Sequence, residues 1–183
     1  MKAHLSSRHR VCPGVAAFFE KRFFNHLYDH ASNYQTIASR SAQSVMILMR
    51  HGDCQPDYPS DPELTTAGRQ RVRSQFSWLV DYPVDVVICS DKRRAMQTVE
   101  ELLSLFPAAR HEIHPHFREI HPLAISDGRH ADAVRAAIAF EQFVQPCLQL
   151  SFLLVAHRNI LSYFCRRIGI QQDFREFCAY AIV

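Results

Sequence analysis

Three features are missing from this sequence: a long apolar run, paired cysteines and a block of basic residues. No stretch approaches the roughly 18 consecutive apolar residues that a membrane-spanning helix needs. The six cysteines lie far apart and include no CxxC pair, which argues against a zinc site or a disulfide framework and favours a reducing, cytoplasmic location. No Lys/Arg block with interleaved aromatic residues follows one element, and the formal net charge is only +3, so nucleic-acid binding is not expected.

The 183 residues are enough for one domain with a sizeable core, and 48% hydrophobic with 21% charged residues is typical of globular proteins. Residues 1–43 are interpreted as an extension, and residues 44–183 as the main domain. Residues 11–19 include a proline and a glycine and precede no small-residue cleavage site, so a signal peptide is not expected. Apolar residues from Val15 to Leu27 fall at helical spacing and predict an amphipathic helix, followed by a polar linker. That helix is a candidate for packing on the domain, for a homodimer contact or for contact with a membrane surface.

Short apolar runs alternate with helical patterns along the main domain. The clearest predicted strands are 45–49, 84–89 and 152–156, with weaker candidates at 111–120 and 178–183. The predicted helix caps are Thr65 or Thr66 and Ser90 or Asp91. A helix over 131–145 is predicted to turn these residues inward: Val134, Ala137, Ile138 and Val144. This alternation favours a mainly parallel sheet in one α/β domain.

Polar residues follow three of the predicted strands. Arg50 and His51 come after the first strand, Ser90 and Arg94 after the second, and His157 after the strand at 152–156. Because the carboxyl ends of parallel strands meet at one edge of a sheet, we expect these residues to lie close together. Arginine offers a charged fork of donors and histidine a titratable base, so this edge predicts chemistry on an oxyanion.

Together these segments resemble the histidine phosphatase superfamily, which includes the cofactor-dependent phosphoglycerate mutases and acid phosphatases. The segments that carry the resemblance are Leu48-Met49-Arg50-His51-Gly52, Leu64-Thr65-Thr66-Ala67-Gly68, Ser90-Asp91-Lys92-Arg93-Arg94-Ala95-Met96-Gln97-Thr98, Arg118-Glu119 and Val155-Ala156-His157-Arg158-Asn159. Arg-His-Gly alone is a weak signal, but the whole set in this order is a strong one. The resemblance implies a single three-layer α/β/α domain of the phosphoglycerate mutase-like type, with a mainly parallel sheet.

The resemblance also implies roles for the residues at this edge. His51 matches the nucleophile that forms a phosphohistidine, and neutral imidazole serves near neutral pH because the ordinary pKa of histidine is about 6.5. Its other ring nitrogen needs an acceptor that holds the tautomer, and a backbone carbonyl near Gly52 is our candidate. Arg50 and Arg94 match the groups that clamp phosphate oxygens. His157 matches the family's second histidine, a phosphate ligand that also stabilises charge.

The acid that protonates the leaving group is less directly specified. Glu119 resembles the acid of mutase-like and broad-specificity members, whereas its alternative interpretation is a surface carboxylate paired with Arg118. Asp53 is the second candidate for this acid. Asp53 is also a candidate for the mouth of the substrate site, together with Asp57, Thr65 and Arg158.

The histidines around the third predicted strand do not predict a metal centre. Their spacing suits no standard zinc site and no cysteine lies close, so neither a metal nor another cofactor is expected; they are His111, His114, His116 and His121. Only 37 residues separate Glu119 from His157, too few for the helical cap of larger family members. The short insert implies an open pocket, as in compact phosphohistidine protein phosphatases of the superfamily, whereas Glu119 favours small phosphomonoesters.

The leading hypothesis is a metal-independent phosphatase that hydrolyses a phosphomonoester through a phosphohistidine on His51. Its substrate would be a phosphorylated small molecule or a phosphoprotein. One alternative is a phosphohistidine protein phosphatase of the same superfamily. The other is a non-catalytic phosphate-binding or interaction protein, in which the N-terminal helix makes the functional contact.

Overall fold

The computed structural model describes residues 44–55, 61–125 and 130–183. Five strands form one sheet: β1 (Met46–Arg50), β2 (Val86–Ser90), β3 (Arg110–His114), β4 (Phe152–Ala156) and β5 (Tyr180–Ile182). Their order is β3-β2-β4-β1-β5, and all neighbours are parallel except β5, which runs antiparallel to β1. The predicted α/β domain with a mainly parallel sheet is confirmed. The predictions for residues 1–43 and for Asp57 lie outside the described residues.

Within the described ranges, four α-helices accompany the sheet: α1 (Thr66–Gln75), α2 (Arg93–Leu102), α3 (Ala131–Ala139) and α4 (Arg158–Arg167). None of the helices in the described ranges is long and apolar enough to cross a membrane. The third strand is shorter than predicted, because Pro115 opens a 3-10 turn over Pro115–Phe117. The helix predicted to run to residue 145 is α-helical only to Ala139, and then continues as a π-helical and a 3-10 segment to Gln149.

Alternate residues of the central strands face two separate hydrophobic layers. Ile47 and Met49 pack with residues of α1 and α2, whereas Met46 and Leu48 pack with residues of α3 and α4. Burying one large apolar side chain contributes roughly 1.5–3 kcal/mol. Burial on both faces explains why these strands read as continuous apolar runs. The domain therefore has three layers, as the resemblance implied.

The inward face of α3 differs from the prediction. Val134 and Ile138 are 51% and 40% exposed, although Val144 is buried as expected. The residues that face the core are alanines three apart, Ala133, Ala136 and Ala139, and each is at most 2% exposed. A row of small side chains lets a helix approach its neighbours closely, so shape rather than hydrophobicity decides which face is buried here.

The register of the sheet places the ends of three strands side by side. Arg50 pairs with Ala156, and Cys89 pairs with Val155, so the carboxyl ends of β1, β2 and β4 lie within two strand spacings. The residues that follow these ends share one edge of the sheet. The convergence expected from the sequence is confirmed.

Candidate active site

His51 follows β1 and is held by backbone bonds on both sides. Its N–H donates to the carbonyl of Ala156 at 3.1 Å, and its carbonyl accepts from Cys178 N–H at 3.2 Å. The ring is buried, with 4% exposed, and Nδ1 lies 2.8 Å from the carbonyl oxygen of Gly52. This is the backbone acceptor expected from the sequence. Since a carbonyl can only accept, the proton sits on Nδ1, and Nε2 presents its lone pair.

The surroundings of His51 keep its ring neutral. The pKa of His51 is lowered from its ordinary value to about 3, mainly by burial; the bond to the Gly52 carbonyl opposes the shift, and the positive charges of Arg94 and Arg50 contribute to it. At neutral pH the ring is an uncharged base with an available lone pair. This is the protonation state that a nucleophilic histidine needs.

Arg94 lies in the first turn of α2 and contacts the His51 ring directly. Its Nε donates to His51 Nε2 at 3.1 Å, and its Nη1 donates to Asp61 Oδ1 at 3.3 Å. The Asp61 carboxylate also accepts from the backbone N–H of Arg93, with oxygens at 3.2 and 3.1 Å. The sequence interpretation missed Asp61, because no local pattern links a loop residue to a helix more than thirty positions later.

Arg50 is held by the C-terminal loop, which connects α4 to β5. Among the described residues, no acidic side chain forms an ion pair with it. Its Nη1 donates to the carbonyls of Phe174 and Arg175, and its guanidinium lies 4.3 Å from the centre of the Phe177 ring. The same ring lies 5.6 Å from the His51 ring. Burial lowers the pKa of Arg50 from its ordinary value. The sequence reasoning did not single out Phe177, which forms an apolar wall against both residues.

His157 precedes α4 and lies against the His51 ring. It is 1% exposed, and its ring centre is 5.1 Å from that of His51. Its Nε2 and Ser90 Oγ are 2.9 Å apart. Burial sets the pKa of His157 well below its ordinary value, and the neighbouring His51 and Arg94 act in the same direction. The ring therefore belongs to the same buried site beside Arg94.

The prediction that Ser90 or Asp91 caps α2 is wrong, because Lys92 occupies the N-cap position and makes no side-chain cap. Ser90 Oγ instead accepts from the Lys92 N–H at 3.3 Å and contacts His157. Asp91 forms a bidentate ion pair with Arg118. Ser90 therefore contacts His157, and Asp91 pairs with Arg118. Spacing along the sequence could not reveal either contact.

Glu119 lies at the N-terminus of α4, where its Oε1 accepts from three backbone N–H groups. The donors are Ile120 and Asn159 at 3.0 Å and Ile160 at 3.3 Å. Burial raises the pKa of Glu119, while these three bonds and the charge of Arg50 oppose the shift. The alternative interpretation, a surface pair with Arg118, is wrong, because Arg118 pairs with Asp91.

The three other candidate site residues that are described, Asp53, Thr65 and Arg158, lie at different positions in the domain. Asp53 pairs with Arg71, with Nη1 at 3.1 and 3.2 Å from its oxygens, so its carboxylate is already engaged. Thr65 caps α1, as predicted, and its Oγ1 accepts from Gly68 N–H at 2.9 Å. Arg158 is exposed at the first position of α4, next to His157. Its positive charge contributes to the lowering of the pKa of Arg50.

The other motif residues hold the loop after β1 in place. Thr98 Oγ1 accepts from Gly52 N–H at 2.9 Å and donates to the Arg94 carbonyl at 2.6 Å. Gly68 passes so close to Asp53 that a Cβ atom would lie 2.2 Å from its carbonyl oxygen. The motifs that contain Thr98 and Gly68 are therefore explained by their packing against the loop that follows β1.

The arrangement can bind an anion. Two buried nitrogens at this place, Arg50 Nε and His157 Nδ1, have no hydrogen-bond partner in the part of the chain that is described. Arg50 Nε is a donor that is costly to leave unpaired, and a charge-assisted hydrogen bond to an anion would satisfy it. His157 Nδ1 is a second donor when Ser90 Oγ donates to Nε2. Within the same described part, no cluster of three or more His, Cys, Asp or Glu side chains could hold a metal ion.

Comparisons with known proteins agree with this geometry. The family model described as histidine phosphatase superfamily (branch 1) matches residues 46–144. A solved structure of the protein histidine phosphatase SixA complexed with tungstate is 26% identical and has a TM-score of 0.54, covering 76% of this chain and 86% of that chain.

Two further structures are similar in fold alone. The alpha-ribazole phosphatase from Shigella flexneri is 19% identical, with a TM-score of 0.59, over 75% of this chain and 89% of that chain. A mycobacterial glucosyl-3-phosphoglycerate phosphatase is 17% identical, with a TM-score of 0.52, over 68% and 79%. No curated protein matches the sequence.

Proposed function

This chain belongs to branch 1 of the histidine phosphatase superfamily, and from that premise we propose that it is a metal-independent phosphatase whose nucleophile is His51. The supporting observation is the state of the His51 ring. Its Nδ1 proton is tied to the Gly52 carbonyl, its Nε2 lone pair faces Arg94, and burial keeps it neutral. A ring prepared in this way can attack phosphorus without first losing a proton.

The proposed reaction has two steps. His51 Nε2 attacks the phosphorus atom in line, the bond from phosphorus to the leaving oxygen breaks, and a phosphohistidine forms. Arg50, Arg94 and His157 hold the phosphoryl oxygens and balance the charge that develops on them. Water then attacks the phosphorus and gives up one proton to Glu119, the acid that protonated the leaving oxygen, the P–N bond breaks, and inorganic phosphate leaves with His51 and Glu119 restored. The Gly52 carbonyl stabilises the positive charge on the ring while the intermediate exists.

Glu119 is proposed as the acid that protonates the leaving oxygen. Its raised pKa favours the protonated form that an acid requires, and the electrostatic interaction between its carboxylate and Arg50 supports this role. The ion pair of Asp53 with Arg71 makes Asp53 the weaker candidate. Because Oε1 already accepts three N–H groups, the second oxygen, Oε2, carries the transferred proton in this proposal.

The test is phosphate release from an aryl phosphate, with a chelator present, comparing wild type with His51→Ala. We expect turnover only in the wild type, and an acid-labile phosphoenzyme on rapid quench. His111→Ala, which removes an exposed histidine on β3, is the matched control and should keep full activity. Phosphate release by His51→Ala at the wild-type rate would exclude the phosphohistidine route.

A second candidate is a phosphohistidine protein phosphatase. Two observations favour it: the 26% identity to the protein histidine phosphatase SixA, and the short segment between Glu119 and His157. Glu119→Gln separates the two candidates, because a leaving imidazole nitrogen (pKa about 6.5) needs an acid far less than an alkoxide does. Loss of activity on alkyl phosphates favours the phosphomonoester enzyme. Unchanged activity on a phosphohistidine protein favours the protein phosphatase.

The non-catalytic alternative makes a different prediction. A phosphate-binding or interaction protein would bind inorganic phosphate but release none from either substrate class. Its functional contact would then lie in residues 1–43, for which we propose an interaction role, including a homodimer contact. Removal of residues 1–43 should then abolish partner binding or dimerisation and leave phosphate binding unchanged.

A further inference from the structure

A carboxylate next to the N-terminus of α2 connects the loop after β1 to the nucleophile. Asp61 Oδ1 lies 3.3 Å from Arg94 Nη1, and both carboxylate oxygens accept from the Arg93 backbone N–H. Arg94 donates in turn from Nε to His51 Nε2 at 3.1 Å. A continuous series of contacts therefore runs from Asp61 through Arg94 to the atom that attacks phosphorus.

The geometry of Arg94 couples its two contacts. The guanidinium is planar, and its donors form a fixed fork, so the rotation that directs Nη1 toward Asp61 also decides where Nε points. The Arg94 side chain is 17% exposed, which limits the other orientations that it can adopt. Asp61 is thus in a position to set the direction of the donor beside the nucleophile.

A phosphoryl group and Asp61 require the same donor. Phosphoryl oxygens bind arginine by charge-assisted hydrogen bonds, and Arg94 Nη1 already donates such a bond to the Asp61 carboxylate. The carboxylate also places a negative charge near an anionic substrate, which opposes binding. Asp61 therefore favours the orientation of Arg94 and disfavours tight retention of phosphate.

We propose that Asp61 is a positioning residue for phosphoryl transfer, which acts through Arg94. It directs Nε toward the reacting atoms and competes for Nη1, so that phosphate is bound in the correct orientation but is released readily as product. This inference rests on the proposed function for the assignment of phosphate as the anion. It predicts that loss of the carboxylate strengthens phosphate binding and slows turnover.

The decisive variant is Asp61→Asn, which removes the charge but keeps an oxygen for the Arg93 N–H. Asparagine and aspartate serve about equally well at a helix N-terminus, so the start of α2 should stay folded. We expect inorganic phosphate, measured by calorimetry, to bind about fivefold tighter. With an aryl phosphate, kcat should fall by about fivefold while KM falls or stays constant. A merely structural role would instead weaken binding and lower the melting temperature.

Two further variants supply the controls. Glu63→Gln makes the same charge change two residues later, in an exposed ion pair with Arg93, and should leave phosphate affinity, kcat and KM unchanged. In an Arg94→Lys background the fork is lost, and Asp61→Asn should then strengthen phosphate binding by less than it does in the wild-type background. A reduction of this kind would show that Asp61 acts in part through Arg94.

Phosphate affinity in Asp61→Asn that is unchanged, weaker, or equal to that of Glu63→Gln would overturn the inference. The proposed function fails in a different way, through a wild type that binds phosphate but turns over no substrate. Because calorimetry needs no turnover, the binding result still decides whether Asp61 competes for Arg94. The two failures are therefore distinguishable.

Discussion

The burial of His51 makes the stability of the fold depend on pH, and His51→Gln should remove that part of the dependence. The pKa of this ring is about 3 in the folded protein and about 6.5 when the chain is unfolded. As the pH falls below about 6.5, His51 becomes protonated in the unfolded chain but stays neutral in the folded protein. The free energy of unfolding therefore decreases until about pH 3. From near pH 7 to near pH 5 this amounts to roughly 2 kcal/mol for His51 alone.

Urea denaturation of wild type and His51→Gln near both pH values measures this difference. We expect the wild type to lose about 2 kcal/mol more than the variant on acidification. His157 is also buried and acts in the same direction, so the variant should keep a smaller slope of its own. His111→Gln, at an exposed position on β3, should behave like wild type. If the free energy of unfolding depended on pH equally in wild type and in His51→Gln, the argument that burial keeps the His51 ring neutral would be refuted.

Three further substitutions test how the site is supported. Gly68→Ala should lower the free energy of unfolding by about 2 kcal/mol in urea, because the new Cβ would lie 2.2 Å from the Asp53 carbonyl oxygen; wild-type stability would contradict this close approach. Thr98→Val should cost about 1–3 kcal/mol by thermal unfolding, since it leaves the buried Gly52 N–H without its acceptor. Ser90→Ala should lower kcat about tenfold with little change in melting temperature, because His157 loses the Ser90 contact that orients its ring. An unchanged kcat would exclude this orienting role of Ser90.

Much of the fold was predictable because it depends on local patterns. The apolar runs marked β1, β2 and β4 to within one or two residues, since a strand buried on both faces has no polar positions. The face of α3 was not predictable in the same way. Val134 and Ile138 have the higher hydrophobicity, but the alanine row is the face that is buried, and only the packed structure shows this.

For the candidate site, the main residues were predictable from the sequence, but their contact partners were not. The sequence by itself identified His51, Arg94 and His157, because each follows a strand end and parallel strands bring those ends together. The partners of these residues depend on distant segments. Phe177 comes from the C-terminal loop, and Asp61 from a loop more than thirty residues before the arginine that it contacts. Only the tertiary structure decided these contacts, because hydrogen bonds and ring contacts depend on distances in space that no spacing along the chain specifies.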